Sequence, residues 1–274
     1  MHPHTYIHRH RAIAAAFFVV GAPMLSAQIG LGLSPMRIDM KIDPGTVNSS
    51  VLALSSDSKE TVRVRAEPLD FLIDQNQTPQ FEPRLASESE FSCRDWLSIN
   101  PVETEIGPGM QLNVRYTLRV PADVKTPRGY HCGISFRTLP TDSQAAGTGI
   151  KTAVQAVAAL YITLGSPAVE GAFKELSMVR STEGSGSHWI GEVVLTNRSF
   201  THFRPVGELS LLDDNGNVLE SVPITPLPVL PRRDQRYIVA FTRDFDPGTY
   251  RLRARLDFGI GSIEEGTAVV RAER

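Results

Sequence analysis

The stretch that most limits what this chain can become is residues 126–140, T-P-R-G-Y-H-C-G-I-S-F-R-T-L-P. A Pro-Arg-Gly turn opens a run in which Tyr130, Cys132, Ile134 and Phe136 share one face and His131, Gly133, Ser135 and Arg137 the other. A period of two fits a half-buried strand and does not fit a helix, whose apolar repeat is about 3.6 residues. The arrangement returns late in the chain, where Asp246-Pro247-Gly248-Thr249-Tyr250 leads into Leu252, Ala254, Leu256 and Phe258. Two copies of turn, tyrosine and alternating strand predict an all-β chain made of two sandwiches in tandem.

Tyr130 stands two residues before Cys132, the spacing of a tyrosine corner on the penultimate strand of an immunoglobulin-like sandwich, where the phenol bonds backbone a few residues upstream. Tyr250 is expected to hold the equivalent corner. The expected organisation is a signal peptide over 1–27 and two immunoglobulin-like β-sandwiches over 28–167 and 168–274.

The start of the chain supports export. His8, Arg9, His10 and Arg11 precede an apolar run from Ala12 to Val20, and Leu25-Ser26-Ala27 supplies a small-residue end, with cleavage expected after Ala27. The run is broken by Gly21 and Pro23 and falls short of the roughly 20 apolar residues that span a bilayer, so no membrane span is expected after cleavage. A periplasmic or otherwise extracytoplasmic site changes the reading of the two cysteines. In an oxidising compartment Cys93 and Cys132 are expected to pair. Closing a loop of roughly 40 residues contributes about 3 to 4 kcal/mol on a chain-entropy model. Trp96, three residues after Cys93, supplies the aromatic mass that such sandwiches place near a staple.

The remaining pattern is strand and turn. In 33–42 Met36, Ile38, Met40 and Ile42 alternate with Arg37, Asp39 and Lys41. Val62 and Val64 alternate with Arg63 and Arg65, and 112–120 places Leu112, Val114, Tyr116, Leu118 and Val120 on one face. The polar run 74–90 reads as an irregular connection or a loose edge. Residues 153–164, A-V-Q-A-V-A-A-L-Y-I-T-L, are nearly continuously apolar; their alanines allow a helix, but Tyr161-Ile162-Thr163-Leu164 favours a strand. Further strands are expected over 173–179, 189–196, 207–212, 237–241, 250–258 and 267–271. Asp213-Asp214-Asn215-Gly216-Asn217 reads as a hairpin turn, not a calcium loop, since the D-x-D-x-D-G spacing and the distal Glu are missing. Four prolines make 221–233 an extended edge.

Chemistry is sparse. The formal net charge of −2 gives no basic excess for nucleic acid. Beyond the leader the histidines are His131, His188 and His202, each isolated in sequence and read as surface residues. Glu103 and Glu105 share a strand face before a Gly-Pro-Gly turn and read as a solvated edge. There is no G-x-S-x-G, H-E-x-x-H or dinucleotide fingerprint, and Gly147-Thr148-Gly149-Ile150-Lys151-Thr152 lacks the Gly-Lys pair of a phosphate loop. No catalytic residue, metal ligand or cofactor is assigned.

With those residues in view, 33–167 resembles the periplasmic pilus-assembly chaperones of the PapD-like superfamily. Ile106-x-Pro108-Gly109 with Val114-Arg115 is similar to that family's L-x-P-G segment and downstream Arg. Arg128 with Ile134-Ser135-Phe136-Arg137-Thr138-Leu139-Pro140 is similar to its penultimate strand and closing proline. The run 154–164, ending at Pro167, sits where the family keeps its exposed donor strand. The second sandwich resembles the family by size and class.

The resemblance implies a non-enzymatic binder of pilus or surface subunits that works by β-strand addition. Val154, Ala156, Ala158, Leu160 and Ile162 would be the donor-strand side chains on an available edge. Arg37 would hold the partner's C-terminal carboxylate. The family's second basic residue has no counterpart here, because the matching part of the strand reads Ala158-Ala159-Leu160-Tyr161. Competing readings are a cell-envelope surface module that binds wall or protein partners, and a hydrolase with an unrecognised site.

Overall fold

The structure, a computed structural model, describes residues 30–88, 90–140, 153–181 and 188–273. The expected export segment 1–27 and the small-residue loop 141–149 lie outside them. Ten strands form the first sandwich: β1 (Leu31–Ser34), β2 (Arg37–Ile42), β3 (Val47–Ser56), β4 (Val62–Ile73), β5 (Pro79–Glu82), β6 (Leu97–Asn100), β7 (Glu103–Ile106), β8 (Gln111–Arg119), β9 (Arg128–Leu139) and β10 (Gln155–Leu164). Seven form the second: β11 (Gly171–Ser181), β12 (His188–Asn197), β13 (Val206–Leu212), β14 (Val218–Pro223), β15 (Asp234–Ala240), β16 (Gly248–Asp257) and β17 (Ile263–Ala272).

In the first sandwich one sheet runs β1-β3-β8-β6 and the other β2-β10-β9-β4-β5, with β7 also on β4. In the second the sheets run β11-β12-β15 and β14-β13-β16-β17. The fold is two immunoglobulin-like sandwiches. Each closes over its own core: Leu52, Leu54, Tyr116, Leu118, Ile134, Phe136 and Leu160 in the first, Val193, Leu195, Leu209, Tyr237, Leu252 and Leu256 in the second.

Several expectations are met residue by residue. Cys93 and Cys132 are bonded, with Cα atoms 5.3 Å apart. Trp96 packs against Tyr130 with ring centroids 4.6 Å apart. The Tyr130 hydroxyl donates to the Lys125 carbonyl at 2.9 Å, and that of Tyr250 to the Asp246 carbonyl at 2.8 Å, so both sandwiches carry the corner. Residues 155–164 are strand, and Asp213 to Asn217 closes the β13–β14 hairpin. Pro223 ends β14, an edge strand, where a residue without an N–H is tolerated.

Other expectations are corrected. The single strand expected over 33–42 is two, because the chain crosses from one sheet to the other at Pro35: β1 pairs with β3, and β2 pairs in parallel with β10. Met36 lies at that crossing and is 61% exposed, while Ile38, Met40 and Ile42 reach the core as expected. Of the two readings of the polar run 74–90, the edge is the one met: it contains β5, an edge strand in register with Asp70 to Ile73 of β4. Strand β9 is not half-buried. Tyr130, Cys132, Ile134 and Phe136 enter the core, and His131, Gly133 and Ser135 are buried on the other face as well.

Candidate functional site

The second face of β9 is covered by the joint between the two sandwiches. Phe71, His131 and Tyr161 form an edge-to-face aromatic group, with Phe71 5.2 Å from the His131 ring and 5.7 Å from the Tyr161 ring. Leu69, Phe71, Val157 and Tyr161 of the first sandwich pack with Leu230 from the second. The Gly129 N–H donates to the Phe200 carbonyl at 2.8 Å. A Cβ on Gly129 would lie 2.7 Å from Thr201 Oγ1 and 2.9 Å from its Cα, so glycine is what lets the two backbones meet. Beside it the Arg128 guanidinium lies 4.9 Å from the Phe91 ring and 4.7 Å from the Phe200 ring, and bonds Glu90 at 2.8 Å. Flat, delocalised Arg suits such stacking.

Next to this seam is a charged cluster built by register. Because Ile38, Met40 and Ile42 turn into the core, β2 directs Arg37, Asp39 and Lys41 outward; the parallel ladder then sets Arg37 opposite Ala159 and Asp39 opposite Tyr161. Arg37 Nε bonds Asp39 Oδ2 at 2.9 Å, and the side chain is 57% exposed. From the second sandwich His202 places Nε2 3.8 Å from Asp39 Oδ1 and stacks on Tyr161 with centroids 4.7 Å apart. Arg204 sits over the Tyr161 ring at 5.3 Å and donates to the Pro226 carbonyl at 2.7 Å.

The neighbours set the charges. The adjacent His202 imidazole holds the Asp39 carboxyl below its ordinary value, with Arg37 and Arg204 adding to that and partial burial opposing it. Burial pushes His202 down, against the pull of Asp39, and raises Tyr161. Two guanidinium groups thus face one carboxylate. Arg is the side chain best shaped to grip a carboxylate.

Strand β10 departs from the expected donor edge. Residues Ala159 to Leu164 are enclosed between β2 and β9. Ala158, Leu160 and Ile162 are 0% exposed in the first core and are therefore not free to enter a partner. The half of β10 before Ala159 is different. Gln155 to Ala158 pair with β9, and their other edge has no strand on it among the described residues. Ala159 N–H, on the β2 side, donates to the Met36 carbonyl at 2.9 Å. Strand alternation puts the N–H and C=O of Val157 and Gln155 on that same side, past the end of β2. Val154 and Ala156 are half-buried at the same end.

Of the two histidines read from sequence as surface residues that meet at the joint, His131 is buried and His202 is partly buried, its side chain 14% exposed. Asp39, His202, Arg204 and Tyr161 were not singled out as a site, since they come from strands and loops far apart in the chain. The Arg63 and Arg65 pair binds Glu103, as expected of a solvated edge. A shallow groove of about 490 Å³ lies between β4 and β6, lined by Leu97, Ile99, Pro68 and Val102 with Arg65 and Glu67. Among the described residues no group of three or more His, Cys, Asp or Glu could hold a metal ion, and no helix is long and apolar enough to cross a membrane.

No family model and no curated protein matches the chain. Solved structures do. The class 5 fimbriae chaperone CfaA is 13% identical, with 88% of this chain and 99% of that chain covered and a TM-score of 0.45. The E. coli chaperone DraB is 13% identical over 90% and 98% of the two chains, with a TM-score of 0.41. The Pseudomonas aeruginosa CupB2 chaperone is 13% identical over 87% and 99%, with a TM-score of 0.42. The chain is similar in structure to pilus chaperones. Likeness at this level transfers neither a partner nor a role for any residue.

Proposed function

We propose that this chain is an exported, non-enzymatic binding protein that holds an extended strand of a pilus or surface subunit along the open half of β10. The observation that carries this reading is the pair of outward backbone positions, Gln155 and Val157, in line with the start of β2. An arriving strand there continues the line of β2, gains backbone hydrogen bonds from both positions, and sets its own apolar side chains beside Val154 and Ala156. A strand ending at β2 brings its terminal carboxylate to Arg37 and Arg204. In this reading Arg204, from the second sandwich, takes the basic role that the sequence of β10 leaves empty.

The test is co-purification of the mature chain from its own host, with the retained protein identified, for the unaltered chain and for Gln155→Pro and Arg37→Ala. Proline at 155 removes an outward donor and, on the β9 side, only the Gln155 Nε2 bond to Ser135 Oγ at 2.7 Å, so retention is expected to fall sharply. Arg37→Ala is expected to weaken retention by about 1 to 1.5 kcal/mol, a charged hydrogen bond discounted for its exposure. Unchanged retention by both variants would move the chain to the envelope surface-module reading.

A further inference from the structure

The outer face of the second sandwich carries a row of cations that the site above does not use. Leu252, Ala254 and Leu256 of β16 enter the core, so Arg251, Arg253 and Arg255 point outward; on β17 Val270 and Ala272 enter the core and Val269 and Arg271 point outward. Register places Glu265 and Glu208 on either side of Arg255, and Arg255 meets Glu265 at 3.7 Å. The other end of the row is unbalanced. Arg251 lies between Leu212 and Val269, Arg253 between Ser210 and Thr267, and Arg271 is the diagonal neighbour of Arg251. Among the described residues no carboxylate comes within 4 Å of these three, and the buried Nε of Arg253 has no hydrogen-bond partner. Val269, amid them, is 72% exposed.

We infer that Arg251, Arg253 and Arg271 form a docking face for an extended acidic segment of a protein partner. Arg251 and Arg253 are two residues apart on one strand, about 7 Å, which is also the repeat of alternate side chains in an extended chain. A peptide lying along β16 can therefore present the carboxylates of alternate residues to Arg251 and Arg253, while the apolar residue between them points away from the sheet. Guanidinium groups match carboxylates in two-pronged geometry. A bilayer fits less well. A flat anionic surface meets Glu208 and Glu265 together with the arginines and feels the formal charge of −2 on the whole chain, whereas a single segment can follow the basic end alone.

The full mature chain is titrated with a labelled peptide of alternating Glu and Val, read by fluorescence anisotropy at low and physiological salt. Binding is expected at low salt and is expected to weaken as the salt rises. The triple variant R251Q/R253Q/R271Q should lose about tenfold or more in affinity with unchanged thermal unfolding, and R255Q, whose cation is already paired, should bind as the parent does. No peptide binding at low salt, equal binding by the triple variant, or binding to vesicles of anionic lipid without binding to the peptide would each overturn the inference. If the triple variant unfolds, the same comparison is made with R251Q alone, and equal affinity then counts against it.

Discussion

Asn197 shows how one side chain sets the position of a site that it does not enter. Fully buried at the end of β12, it donates from Nδ2 to the carbonyls of Thr201 at 2.8 Å, Val229 at 2.9 Å and Leu230 at 3.1 Å, and its Oδ1 accepts the Ser199 N–H at 2.9 Å. The loop thus fixed delivers His202 and Arg204 to Asp39 and Tyr161. Asn197→Ala removes three buried hydrogen bonds to carbonyls and leaves the buried Ser199 N–H without its acceptor, and is expected to lower unfolding free energy by about 2 to 3 kcal/mol, measured by denaturant titration. His202 gives a pH dependence with a definite sign. Burial lowers its folded value below the ordinary 6.5, so the unfolded chain binds the extra proton first. Its contribution is complete above about pH 6.5 and is lost as pH falls through the folded value; Asp39, also lowered, adds a second loss below its ordinary 3.8. Melting temperature should therefore drop between pH 7.5 and 5.5, and His202→Gln should flatten that drop.

At the scale of elements, alternation in the sequence was enough to find many of the strands and to choose their inward faces, because a core-facing side chain every second residue is a local signal, though it showed neither β5 nor the break at Pro35. Val62 and Val64, Leu112 to Val120 and the two tyrosine corners were legible for that reason. What lay beyond reach was the second face. His131 and Ser135 look like a wet face in sequence and are buried only because the 198–204 loop and Leu230 close over β4, β9 and β10. Strand β10 shows the same limit, since its apolar run reads as one available edge while β2 covers only the half that starts at Ala159. The two halves should respond differently to substitution. Leu160→Asp puts a charge into a fully buried position of the first core and is expected to unfold that sandwich, a loss of about 4 kcal/mol or more. Gln155→Pro should cost only about 1 to 2 kcal/mol, since besides the open-edge N–H it removes a single bond, from Gln155 Nε2 to Ser135 Oγ at 2.7 Å.

For the whole molecule, the joint ties the two cores together through a short set of contacts. Gly129 against Thr201, Arg128 between Phe91 and Phe200, and Leu230 against Leu69 and Phe71 fix the second sandwich where Arg204 can face Arg37. In the function proposed above, a partner strand lying on the open half of β10 would run toward that charged cluster, so that fit along the strand and charge at its end would be read together. Amide hydrogen exchange on the chain alone and on the chain with its co-purified partner tests this most directly. The amides of Ala156 and Ala158, already turned toward β9, should be protected in both states, while those of Gln155 and Val157 should exchange quickly in the free chain and become protected in the complex. A stable complex in which Gln155 and Val157 still exchange as they do in the free chain would contradict it.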